Sequence, residues 1–148
     1  MKLDPVTRDF LSGKTFSNAY RFELGNAGRA PRRVERLVEI CRGQRVLHVG
    51  CCDHLGLIRA KVAQGVYLHQ NLCRVASRCA GMDISAPGVA LLHELGFADV
   101  YEPDDVPDDS YDICLLADVI EHVGDVVAFL QSMRRYRCAR LVVATPNA

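Results

Sequence analysis

Arg45-Val46-Leu47-His48-Val49-Gly50-Cys51-Cys52-Asp53-His54 is the stretch that decides the fold. Arg45 to Gly50 is short, apolar and bounded by Gly43 and Gly50, the pattern of a strand buried on both faces of a parallel sheet. The remainder, GCCDH from Gly50 to His54, reads as a loop. A residue without a side chain permits both a tight turn and a close ligand approach at Gly50.

Working outward, Val34, Leu37, Val38 and Cys41 recur at three and four after Pro31, so an amphipathic helix is expected from Pro31 until Gly43 closes it. Residues 1–30 mix charge, glycine and aromatics (Phe10, Phe16, Tyr20, Phe22) without a period. They are read as a lead-in segment, with the globular domain covering 31–148. Downstream, Leu55 to Gly65 is ambiguous, whereas Leu68, Leu72, Val75 and Ala76 form a helical stripe ending near Arg78. Cys79–Ile84 is a second strand. Ser85 caps a helix opened by Pro87, lined by Val89, Leu92 and Leu95 and ended by Gly96. Ala98–Tyr101 is a short third strand, Tyr111–Leu116 a fourth, and Leu141–Ala144 a fifth. Asp125 starts the helix between the last two, carrying Val126, Phe129, Leu130 and Met133.

Strands alternating with amphipathic helices predict an α/β architecture in which helices cover both faces of a parallel sheet. Ligands of such sheets sit beyond the carboxyl ends of the strands. Gly50–His54, Asp83, Glu102–Asp105 and Ala117–His122 all follow strands. Asp83 lies 33 positions after Gly50 (83 minus 50), where a carboxylate can accept both hydroxyl protons of a ribose. That spacing exceeds the roughly 20 residues of a dinucleotide fingerprint.

The 148 residues suit one domain, and 49% hydrophobic content can fill its core. Eighteen basic and 18 acidic residues cancel, so no nucleic-acid partner is expected and charged ligands must be met locally. Seven scattered cysteines without a signal peptide point to a reduced, cytoplasmic setting. No apolar run approaches the roughly 20 residues that cross a bilayer, so a soluble protein without membrane insertion is expected.

Four strings in order, VLHVGCCDH (46–54), GMDIS (81–85), YDICLLADVIEHVGDVVAFLQSMRR (111–135) and RLVVATPNA (140–148), resemble the motifs of class I S-adenosylmethionine-dependent methyltransferases. The resemblance implies a Rossmann-like three-layer α/β/α fold with a mostly parallel central sheet in the order 3-2-1-4-5. It is expected in a form without the family's last strands, because the sequence ends at Ala148. The implied cofactor is S-adenosylmethionine, with S-adenosylhomocysteine as product. The implied acceptor is a small metabolite or a glycan or lipid precursor. Gly50, Cys51 and Cys52 are placed under the methionine part of the cofactor, Asp83 on the ribose, Ile84 against the adenine, and Asp104 on the adenine amino group with Asp105 one place away. Ala117 and Asp118 are placed at the methionine end, and Glu121 and His122 at the acceptor, His122 as the candidate base. A non-catalytic scaffold of the same fold and a dinucleotide-binding protein remain the alternatives. A homodimer through an exposed fifth strand is a further possibility.

This sequence also departs from the family pattern. His48 replaces an acid, and Cys52 and His54 replace glycines. If the Cys52 position needs positive φ or a close ligand contact, the side chain costs about 1–3 kcal/mol, or roughly tenfold to a hundredfold in affinity. No metal is expected at His48, Cys51, Cys52 and His54, because no C-x-x-C pair occurs and adjacent cysteines rarely serve one tetrahedral ion. Cys73 and Cys79 are expected in the core, and no base is fixed for a cysteine nucleophile. Asp83 alone also fits a carboxylate at a helix N-terminus. Glu121 and His122 also fit a solvated helix start, and Asp104, Asp105, Asp108 and Asp109 a solvated acidic loop.

Overall fold

The computed structural model describes residues 5–12, 14–15 and 33–145. The chain divides into two compact units, residues 1–31 and 32–148. In the first, helix α1 spans Pro5–Leu11, with proline at the position where a helix lacks no hydrogen bond for want of its N–H. Phe16, Tyr20, Phe22 and Pro31 lie outside the described residues.

The second unit alternates helices and strands as the apolar pattern predicts. Helix α2 (Arg33–Cys41) buries Leu37 and Cys41, and Gly43 turns the chain at φ +67° into β1 (Arg45–Val49). The ambiguous segment forms a helix, α3 (Leu55–Ala63), followed by α4 (Leu68–Val75) and β2 (Arg78–Met82). Helix α5 (Ala86–Glu94) starts at Ser85, whose hydroxyl accepts the Gly88 amide proton at 3.2 Å. Strand β3 is only Val100–Tyr101 and β4 is Ser110–Ala117. A 3-10 turn at Ile120–His122 precedes α6 (Val126–Ser132), which Asp125 caps through the Ala128 amide. Strand β5 spans Arg137–Ala144, four residues earlier than the apolar run announces. Its first half, Arg137-Cys138-Ala139-Arg140, carries guanidiniums that reach Asp108 and Gln44, so its pairing with β4 leaves no apolar signature.

The five strands are all parallel and stand in the expected order, β3-β2-β1-β4-β5. Central β1 pairs with β2 (Val49 opposite Met82) and with β4 (Val49 opposite Leu116). Successive strand side chains take opposite faces. Val46, Cys79, Ile113 and Leu115 therefore pack with Leu37, Cys41 and Leu72 of α2 and α4. Leu47, Val49, Met82, Cys114 and Leu116 pack on the other side with Phe129, Leu130 and Tyr136. A third cluster (Ile58, Tyr67, Val89, Leu92, Val100) seats α3 and α5. Ile113 and Leu115 are wholly buried, and truncating either to alanine costs about 2–5 kcal/mol. No helix among the described residues is long and apolar enough to cross a membrane.

Candidate functional site

The carboxyl ends of β1, β2 and β4 open into a cleft of about 640 Å³. That lies within the range of about 300–1,000 Å³ usual for small-molecule sites. Gly50, Cys51, Cys52, Asp83, Ala117, Asp118 and His122 line it, so seven of the ten residues expected at the site come together.

The loop after β1 is held by backbone geometry. Gly50 has φ +71°, and its N–H and that of Cys51 donate to the Met82 carbonyl at 2.8 and 3.2 Å. A Cβ at Gly50 would stand 2.3 Å from Val119 Cγ2, so the missing side chain lets the exit of β4 close against the exit of β1. The strain expected at Cys52 is absent, since among the described non-glycine residues only Asp118 has a positive φ, +57°. Cys52 fills space that Gly88 leaves open, where a Cβ would meet its Sγ at 2.7 Å. Gly81 makes room for Cys51 in the same way, at 2.8 Å. Both cysteines of the loop thus have a glycine opposite them.

Asp83 sits just past β2 and braces this loop. Its Oδ2 accepts the Cys52 amide proton at 2.8 Å and its Oδ1 that of Ser85 at 2.9 Å. A carboxylate has about four acceptor sites, so two remain for ligand hydroxyls. The hydroxyl of Tyr67 donates to the Cys51 carbonyl at 2.5 Å, fixing the loop from α4's entry. A hydrogen bond with Cys52, together with burial, pushes the Cys51 thiol well up, which makes it inert as a nucleophile.

His48 occupies the floor of the cleft, 2% exposed, with Nδ1 at 3.2 Å from Nδ1 of His69 and Nε2 buried without a partner among the described residues. Burial, reinforced by His69, holds it well below the usual imidazole range, so the ring is neutral at pH 7. At the rim, Arg33 pairs with Asp118 at 2.7 Å. Asp53 pairs with Lys61. Burial opposes ionisation of Asp53, but Lys61 and the His54 amide outweigh it and lower its carboxyl. An anion therefore stands at the start of α3.

Three expected residues are not brought to the cleft. Ile84 is 88% exposed and lines no part of it. Glu121 and His122 are both exposed in the 3-10 turn, and of the two His122 lines the cleft. Asp104, expected at the adenine, does not line the cleft. Arg135 binds Asp104 at 3.0 Å and the Pro103 carbonyl at 2.9 Å, drawing the loop after β3 into a separate depression with Tyr136. Asp105 is exposed on the same loop. Cys79 is buried as expected, but Cys73 is exposed on α4.

Arg33, Lys61, Tyr67 and His69 escaped the sequence reading. Arg33 was findable, because a helix preceding a strand and running antiparallel to it has its first turn at the strand's carboxyl end. The others depend on how α3 and α4 pack, which periodicity does not specify.

The family described as "Methyltransferase domain" matches residues 47–137, more than half of the chain. Among solved structures, YcgJ from Bacillus subtilis superposes with a TM-score of 0.51 at 18% identity, over 74% of this chain and 48% of that one. A protein of the Pnkp1/Rnl/Hen1 RNA repair complex superposes with a TM-score of 0.50 at 20% identity, over 78% and 28%. DhpI in complex with SAH gives 0.49 at 26% identity, over 74% and 52%. The chain thus spans about half or less of the length of these structures. No curated protein sequence matches it. On the family match, the order of the strands and the ordered motifs, the chain belongs to the class I S-adenosylmethionine-dependent methyltransferase family.

Proposed function

We propose that the cleft binds S-adenosylmethionine and that the protein transfers its methyl group to a small-molecule acceptor, a metabolite or a glycan or lipid precursor. The observation that carries the reading is Asp83, which retains free acceptor sites at the cleft while its own position is fixed by two amide protons. The residues present fit the group. Asp83 would take the ribose hydroxyls, the Gly50–Cys52 backbone would lie along the methionine part, and Arg33 offers a cation for the carboxylate. Asp118 and the Ala117 carbonyl offer acceptors for the ammonium.

When bound, the cofactor supplies an electrophilic methyl on sulfonium. The chain's part is to hold an acceptor in line with that methyl, and positioning alone supplies much of the rate. His122 faces the same space and is the group that would take a proton from a protonated acceptor.

The dinucleotide alternative is disfavoured by Asp53. A diphosphate would sit at the start of α3, beside a carboxylate whose charge Lys61 only partly offsets, and the 33 positions from Gly50 to Asp83 exceed the roughly 20 of a dinucleotide fingerprint. Calorimetric titration of the protein with S-adenosylmethionine, S-adenosylhomocysteine and NAD tests the reading. Saturable binding of the first two and none of NAD is expected. Binding of NAD alone, or of no ligand, overturns it.

A further inference from the structure

Helix α4 and the start of β2 bring three soft donors together behind the cleft. His69 and Cys73 are four residues apart and share one face of α4, and Cys79 is the second residue of β2. One ligand atom from each lies within 4.8 Å of the others. A tetrahedral zinc with Zn–S of about 2.3 Å and Zn–N of about 2.0 Å separates its donor atoms by about 3.5–3.8 Å. Cys73 Sγ is 3.6 Å from His69 Nε2, within that spacing, whereas Cys79 Sγ is 3.8 Å from the other ring nitrogen, Nδ1, so the sulfur or the ring must turn slightly for one ion to be shared. Gly81 clears the space beside the ring, since a Cβ there would stand 3.1 Å from Nε2.

A second observation comes from His48. The two Nδ1 atoms of His48 and His69, 3.2 Å apart, need one proton between them. Ligating histidines characteristically donate their other ring N–H to a neighbour. A metal on His69 Nε2 leaves the proton on Nδ1, to be donated to His48 Nδ1. The His48 proton then resides on Nε2, so both tautomers are settled at once.

We propose that His69 Nε2, Cys73 Sγ and Cys79 Sγ bind one Zn²⁺, with water in the fourth position. The two thiol protons pass to solvent as the Zn–S bonds form, and no change of oxidation state is involved. Exposed Cys73 gives the ion its way in. The other cluster of donors, Cys51, Cys52 and Asp83, is a poorer host. Two adjacent cysteines strain to share one ion.

The test is titration of the whole protein with Co²⁺ under a non-thiol reductant, followed by Zn²⁺ displacement. The expected result is a thiolate-to-cobalt charge-transfer band saturating at one equivalent per chain. Cys73→Ser, a surface change whose fold circular dichroism checks, should weaken binding by at least about tenfold. Cys138→Ser should leave it unchanged. No such band in the wild type, or the same band in Cys73→Ser, overturns the site; the second result moves the metal to Cys51 and Cys52.

Discussion

Asp83 Oδ2 accepts the amide proton of Cys52 at 2.8 Å, so the acid after β2 and the loop after β1 hold each other in one conformation. This tie replaces the rigidity that a glycine-rich loop draws from its turn geometry alone. It explains how Cys52 and His54 stand where the family has glycine without either adopting a positive φ.

The pairing of Cys52 with Gly88 predicts a change of sign in a double-mutant cycle. Gly88→Ala alone should destabilise, because the new Cβ meets Cys52 Sγ at 2.7 Å and Cβ at 3.0 Å. In a Cys52→Gly background the contacts with Cys52 disappear and only Ser85 Oγ, at 3.1 Å, has to give, so alanine in α5 should instead stabilise by up to about 1 kcal/mol. Urea midpoints of the four proteins measure the coupling. Additive effects would show that Gly88 does not accommodate Cys52.

Gly50 and Gly43 share a left-handed backbone but differ in surroundings. At Gly43 (φ +67°) no atom lies within 4 Å of an added Cβ, whereas at Gly50 (φ +71°) Val119 lies at 2.3 Å. Gly43→Ala should cost about 1–2 kcal/mol, the conformational part alone. Gly50→Ala should cost clearly more and reduce cofactor binding as well. Equal losses in denaturant unfolding would mean that the contact between the β1 and β4 exits is easily relieved.

Buried His48 makes stability depend on pH with a definite sign. Its folded value is depressed by burial and by His69, so below the ordinary imidazole pKa of about 6.5 the unfolded chain takes up a proton that the folded chain refuses. The contribution is therefore whole above that pH and is lost as pH falls below it, at up to about 1.4 kcal/mol per unit. His48→Gln should flatten the stability profile between about pH 5 and 6.5. A variant with the wild-type slope would assign the titration elsewhere.

Much of this was legible in the residues. The central strand and the position of Asp83 followed from a buried apolar run and a carboxylate placed after a strand, whereas the strand order followed only from the resemblance to the methyltransferase motifs. The early start of β5 did not, because an Arg-rich strand half in solvent carries no apolar signature. Nor did the fate of Asp104, which is decided by Arg135, 31 residues away in sequence. Nor was the local fit of Cys52, whose backbone takes no positive φ, readable. The compensating Gly88 sits in another element, and only packing brings the two together.

The central claim is that Asp83, within the cleft, holds the cofactor's ribose. It is tested most directly by measuring S-adenosylhomocysteine affinity for the wild type, Asp83→Ala and Asp104→Ala. Loss of charge-assisted hydrogen bonds worth about 2–3 kcal/mol should weaken binding to Asp83→Ala by roughly 30-fold or more. Asp104→Ala, altered in a separate depression, should bind like the wild type. Unchanged affinity in Asp83→Ala would contradict the account.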